Sequence, residues 1–97
     1  MRLPAPNAEV DRVIDRAAYV AALVGPMTTL PQVYQIYHSH SGHGISIAAW
    51  TGFTVYSAFW IVYGWVHRDL ALTLANLLWT IFQGMVLVGA ILWGGSA

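Results

Sequence analysis

Polar and apolar positions divide the chain into a polar lead, three long apolar stretches and two polar turns. Residues 1–16 carry Arg2, Glu9, Asp11, Arg12, Asp15 and Arg16. Residues 17–37, 45–66 and 70–93 carry no Asp, Glu, Lys or Arg. Between them lie His38-Ser39-His40-Ser41-Gly42-His43-Gly44 and His67-Arg68-Asp69. An apolar helix of this length spans about 30 Å at roughly 1.5 Å per residue, enough to cross a bilayer core. The pattern predicts three transmembrane helices over 17–37, 45–66 and 70–93, joined by short turns into a single membrane domain, 17–93. The fold class is an all-α membrane bundle. Within the polar lead, 1–16, an irregular Met1 to Pro6 precedes a short helix capped by Asn7, with Glu9 and Arg12 pairing at i,i+3. The tail, 94–97, is too short to be expected to form anything.

The first span is interrupted by Gly25-Pro26-Met27-Thr28-Thr29-Leu30-Pro31-Gln32. Pro31 has no N–H and frees the Met27 carbonyl, and Pro26 does the same to Ala22. In lipid such groups need partners in protein or water, so this helix is expected to face a bundle interior or a cavity.

Composition supports the membrane reading. The chain is 58% hydrophobic and 8% charged, against about 25% charged in a soluble domain. There is no cysteine, which removes disulfides, thiolate metal sites and cysteine nucleophiles. Net charge is zero with neutral histidines, so no nucleic-acid partner is expected. The acidic lead lacks the apolar core of a signal peptide.

Each span has a polar face. Thr28, Thr29 and Gln32 mark the first, and Ser57, Trp60 and Tyr63 the second. Thr73, Asn76, Thr80 and Gln83 mark the third, at spacings that put them on one stripe. Polar groups at membrane depth face protein or a water-filled path. Asn76 and Gln83 can serve as interhelical hydrogen-bonding glue. Alternatively, Trp60 offers a flat face for the C–H side of a sugar, and Asn76 both donates and accepts toward hydroxyls. Tyr56, Ser57 and Thr80 are secondary candidates on the same faces. Three helices are too few to enclose a route, so a homodimer with the route on its axis is expected. No ionisable side chain lies deep in a span, which favours passive movement of an uncharged solute over ion-coupled pumping. It also leaves no general base or metal-ligand set, so no enzyme activity, metal or cofactor is expected.

These residues resemble a known family. Pro31-Gln32 is similar to the PQ-loop signature. With Trp60-Ile61-Val62-Tyr63-Gly64, Asp69 and Leu74-Ala75-Asn76 it resembles the bacterial SemiSWEET sugar transporters, over about residues 17–93. The resemblance implies a parallel homodimer of three-helix units in a bacterial inner membrane. Such a dimer moves a mono- or disaccharide by alternating access as a uniporter. It assigns sugar binding to Trp60 and Asn76, a hinge to Pro31 and Gln32 with Pro26 as a further candidate, and an outer gate to Tyr63 and Asp69. The family often has an Arg two positions before that Asp; here the position is His67, with Arg68 adjacent. His67 and Arg68 are therefore secondary gate candidates, and His67 would make the gate pH-sensitive. All four arginines lie on the side of the amino terminus and the 67–69 turn, which the positive-inside rule places in the cytoplasm. The resemblance implies the opposite orientation.

His38, His40 and His43 match no strong zinc spacing and read as a polar interfacial loop. Trp50, Trp65 and Trp93 near the span ends read as interface anchors, and Trp79 as packing. Gly25, Gly52, Gly64 and Gly84 read as sites of close helix contact. Two other functions fit the pattern: a PQ-loop transporter of another small solute such as an amino acid, and a non-transporting assembly subunit whose stripes are packing alone.

Overall fold

A computed structural model describes residues 7–96; the expected irregular stretch Met1 to Pro6 and the last tail residue, Ala97, lie outside them. The described chain is helical: α1 (Ala8–Met27), α2 (Leu30–Ser39), α3 (Ile47–Val66) and α4 (Leu70–Leu92). The first apolar stretch is thus two helices rather than one. α1 also starts at Ala8, well before the expected start of the span. The Asn7 side chain accepts from Val10 N at 2.8 Å and begins it. Ser46 and Asp69 begin α3 and α4 in the same way, accepting from Ala49 N and Leu72 N.

The break between α1 and α2 follows from the prolines. Thr28 N and Thr29 N donate three residues back, to Gly25 and Pro26, and the regular ladder resumes where Val33 N donates to Thr29. The Thr28 hydroxyl adds a 2.5 Å bond to the Gly25 carbonyl. Pro31 falls in the first turn of α2, where a missing N–H costs nothing. Thr28 and Thr29 both keep right-handed helical backbone, so the kink stores no backbone strain.

All the extensive helix pairings involve α4, which packs on α3, α1 and α2. Cα extents are 51 × 23 × 15 Å. Two interaxial steps of about 9 Å plus a helix backbone about 4.6 Å across make roughly 23 Å, the width of three rods in a row. The chain is therefore a slab with α4 in the middle.

Packing is concentrated at one end of the slab. Val33, Ile36 and Val86 form the buried core, with Tyr37, Ile45, Trp50 and Trp93 around it. Gly89 allows this approach: a Cβ there would lie 2.5 Å from Ile36 Cγ2. The Tyr37 hydroxyl donates to the Met85 carbonyl at 2.9 Å. The tail, contrary to expectation, is ordered against this end. Ser96 N donates to the Ile45 carbonyl and Ile47 N to the Ser96 carbonyl, while Gly42 N donates to the Trp93 carbonyl. Trp93 stacks edge-on with Tyr37 and His40. Trp50 and Trp93 are thus core-edge residues, because the first turn of α3 and the last of α4 converge under the histidine loop; Trp65 stays 76% exposed.

Large apolar side chains cover the outside. Val20, Leu23 and Val24 on α1, Val55, Phe59 and Val62 on α3, and Leu77, Ile81 and Val88 on α4 are all exposed. Faces of this extent mark contact with lipid or another protein surface. Among the described residues one helix, Leu70–Leu92, is by length and apolarity able to cross a membrane unaided. α3 is diluted by Trp, Tyr, Thr and Ser, α1 carries the charged lead, and α2 is short.

Candidate functional site

α3 carries an aromatic ladder. Tyr56 and Trp60 lie with ring centroids 6.1 Å apart, Trp60 and Tyr63 5.0 Å, and Tyr63 and His67 4.3 Å. The spacing of four, three and four residues keeps the rings on one side of the helix. Phe59 packs edge-on against Trp60 from the apolar side, 5.6 Å away. Trp60 is half-buried and Tyr56 is exposed.

Across the α3–α4 seam the stripe residues divide by role. Gly64 crosses α4 at Thr73 so closely that a Cβ would lie 2.6 Å from Thr73 Oγ1. The Ser57 hydroxyl donates to Gln83 Oε1 at 2.8 Å, near the middle of both helices. Ser57 is buried, so this pair is interhelical glue. Asn76 donates one N–H to its own helix, at the Leu72 carbonyl. Its other N–H and its oxygen keep their capacity for hydroxyl groups. Thr80 Oγ1 is buried with no hydrogen-bond partner among the described residues.

Trp60 and Asn76 come to the same level. Trp60 is six residues from the end of α3 (66 − 60) and Asn76 six from the start of antiparallel α4 (76 − 70). Each therefore lies about 9 Å from the 67–69 turn along its helix at roughly 1.5 Å per residue.

Above that level opens a cleft of about 750 Å³ between α1, α4 and the end of α3. Tyr63, His67, Arg68 and Asp69 line it, together with Asp15 and Tyr19 of α1. The last two were missed in the sequence because they fall on the lead and at the edge of the apolar stretch. Trp60, Asn76, Tyr56, Ser57 and Thr80 are not in its lining. A second cleft, about 330 Å³, lies at the packed end and is lined by Gln32, Gln35, Ser39 and His43. Pro31 is exposed at the start of α2 and Pro26 is buried in the last turn of α1.

The gate candidates meet only in part. One Asp69 oxygen accepts from Leu72 N at 3.1 Å, and the Tyr63 ring sits between Trp60 and His67. Among the described residues no hydrogen bond joins Tyr63 to Asp69 within the chain. The turn itself is a Schellman closure: Asp69 N donates to Gly64 and Arg68 N to Trp65. This forces Arg68 to φ 55°, where glycine is usual.

Of the four glycines expected at close contacts, Gly64 is one. Gly25 is in ordinary contact, with a Cβ position 3.7 Å from the Trp79 ring, so Trp79 packs over α1. Gly52 and Gly84 have nothing within 4 Å of a Cβ, so neither is a close helix contact within the chain. Among the described residues no cluster of three metal-ligating side chains forms, and His38 stacks on Tyr34.

No protein-family model matches the chain, and no solved structure gives a significant match. Among curated proteins, it is 29% identical over 84 residues to the sugar transporter SemiSWEET of Vibrio sp. (strain N418), covering 84% of this chain and 87% of that one. That similarity to a SemiSWEET runs over most of the length of both chains.

Proposed function

We propose that this protein is a facilitative transporter of neutral sugars, working by alternating access in a parallel homodimer with the path between the two slabs. The observation that carries this reading is the Trp60–Asn76 level beneath a cleft lined by Tyr63. An aromatic face and an amide at one height form the mixed apolar and hydrogen-bonding wall that a neutral, polyhydroxylated ligand needs. The SemiSWEET relative, whose name describes sugar transport, supports the substrate class. A slab 15 Å thick has no interior of its own, and a second copy supplies the missing wall.

In this reading α1 with α2, α3 and α4 are three spans in a bacterial inner membrane, with α4 as the apolar anchor. The broken helix at Pro31 and Gln32 is the hinge, and Pro26 seats the end of α1. Tyr63 and Asp69 gate the cleft end, flanked by His67 and Arg68. One Asp69 oxygen caps α4 and the other is available to a gating hydroxyl.

Reconstitution into liposomes tests the reading. Vesicles holding the wild-type chain should take up radiolabelled glucose or sucrose above empty vesicles, and Trp60→Ala and Asn76→Ala should each lower uptake at least tenfold. Unchanged uptake in both variants would remove these residues from the site. Amino-acid uptake that sugars fail to inhibit would replace the substrate class.

A further inference from the structure

We propose that the cleft at the 67–69 end is a second sugar subsite, above the Trp60–Asn76 level, where a neutral sugar is held before it passes inward. The inference rests on the transport reading and adds a place of binding and a charge selectivity. The cleft's volume, about 750 Å³, falls within the range of ligand pockets. Its lining is mixed rather than greasy. Tyr19 of α1 and Tyr63 of α3 bring aromatic faces and phenol hydroxyls to one space, and Asp15 and Asp69 add carboxylates that accept from sugar hydroxyls. Between them the floor is small: Ala18 and Ala22 on α1, Ala71 and Ala75 on α4. Small side chains there leave the space a ring needs.

Tyr63 connects the two levels. It lines the cleft, and its ring lies 5.0 Å from Trp60. A sugar leaving the cleft along α3 passes from one aromatic face to the next, so hand-over needs no desolvated gap.

Charge selects the class. The lining holds two carboxylates, Asp15 and Asp69, against one guanidinium, Arg68. Sugar phosphates and uronates are disfavoured there, while neutral sugars are accepted. An ammonium-bearing solute is the competing occupant.

Two measurements decide it. In proteoliposomes, Tyr19→Ala should raise the half-saturating glucose concentration about tenfold, the loss of one good contact, with the maximal rate within about twofold. Val24→Ala, on the exposed side of the same helix, should change neither. In detergent, the Trp60→Ala protein should retain a glucose-dependent rise in melting temperature, which adding Tyr19→Ala removes and which glucuronate does not reproduce. An unchanged half-saturating concentration in Tyr19→Ala overturns the subsite. So does complete loss of glucose stabilisation on Trp60→Ala alone. Stabilisation by glucuronate equal to glucose overturns the charge selectivity, and stabilisation by glycine in place of glucose overturns the ligand class. Failure of wild-type vesicles to take up any sugar would instead refute transport, while the melting measurement still decides whether the cleft binds.

Discussion

Glycine-to-alanine substitutions along α3 and α4 measure the helix seam directly. Replacing a helical glycine by alanine stabilises by about 1 kcal/mol through backbone entropy where there is room. At Gly52 and Gly84 nothing lies within 4 Å of the new methyl, so both variants should gain roughly that amount. At Gly64 the methyl would meet Thr73 Oγ1 at 2.6 Å and Thr73 N at 3.0 Å. The second atom is backbone of α4 and cannot rotate away, so the two helices must separate. Overpacking of this kind costs about 1–3 kcal/mol. The propensity gain is common to all three variants and cancels in the comparison. Gly64→Ala should therefore be about 1–3 kcal/mol less stable than Gly52→Ala. For a chain of this size that is about 4–8 °C of melting temperature per kcal/mol. Thermal unfolding in detergent, followed by far-ultraviolet circular dichroism, reads the gap. A gap below about 0.5 kcal/mol would refute the close crossing of α3 and α4 at Gly64 and Thr73. Gly84 carries a second lesson: a loss there in place of a gain would mean another copy covers its open side.

Two further substitutions follow from the turns. Arg68→Gly should stabilise by about 1 kcal/mol, because Arg68 sits at φ 55° at a position that favours glycine, whereas Arg68→Ala should bring no gain; chemical denaturation compares the two. Pro31→Ala restores an N–H that can reach the Met27 carbonyl and extend one helix through the break. It should leave the melting temperature and oligomeric state unchanged while slowing uptake several-fold, and full uptake would return the break to an ordinary kink.

The broken helix shows how far local sequence reaches. Pro26, Pro31 and the missing N–H groups are covalent facts, so an interruption between residues 25 and 32 was legible before any packing was known. The same holds for Asn7, whose short side chain starts α1, and for the 3–4 spacing that puts Trp60 beside Tyr63. Asp69 was read as a gate residue, yet its carboxylate also caps α4, because an acidic residue directly before an apolar helix serves its first N–H groups whatever else it does.

Other features depended on which helix lies beside which. Helical periodicity says that Thr73, Asn76, Thr80 and Gln83 share a stripe, but α4 turns that stripe toward α3. One member therefore packs on Gly64, one pairs with Ser57, and Thr80 is left without a hydrogen-bond partner among the described residues. Gly64 and Gly84 look alike in sequence; one faces a neighbouring backbone and the other faces open space. The tail is short, yet two strand-like hydrogen bonds across the α3 start need only one residue, Ser96.

What the sequence alone determined is the apolar helical character, the position of the break and the aromatic ladder, all of which are properties of neighbours along the chain. What only the tertiary structure decided is the slab with α4 at its centre, the packed end and the open end, and the cleft that recruits Asp15 and Tyr19. Those depend on distances between residues far apart in the chain, such as Tyr19 and Tyr63. Such distances are set by shape and close packing, which no local pattern encodes.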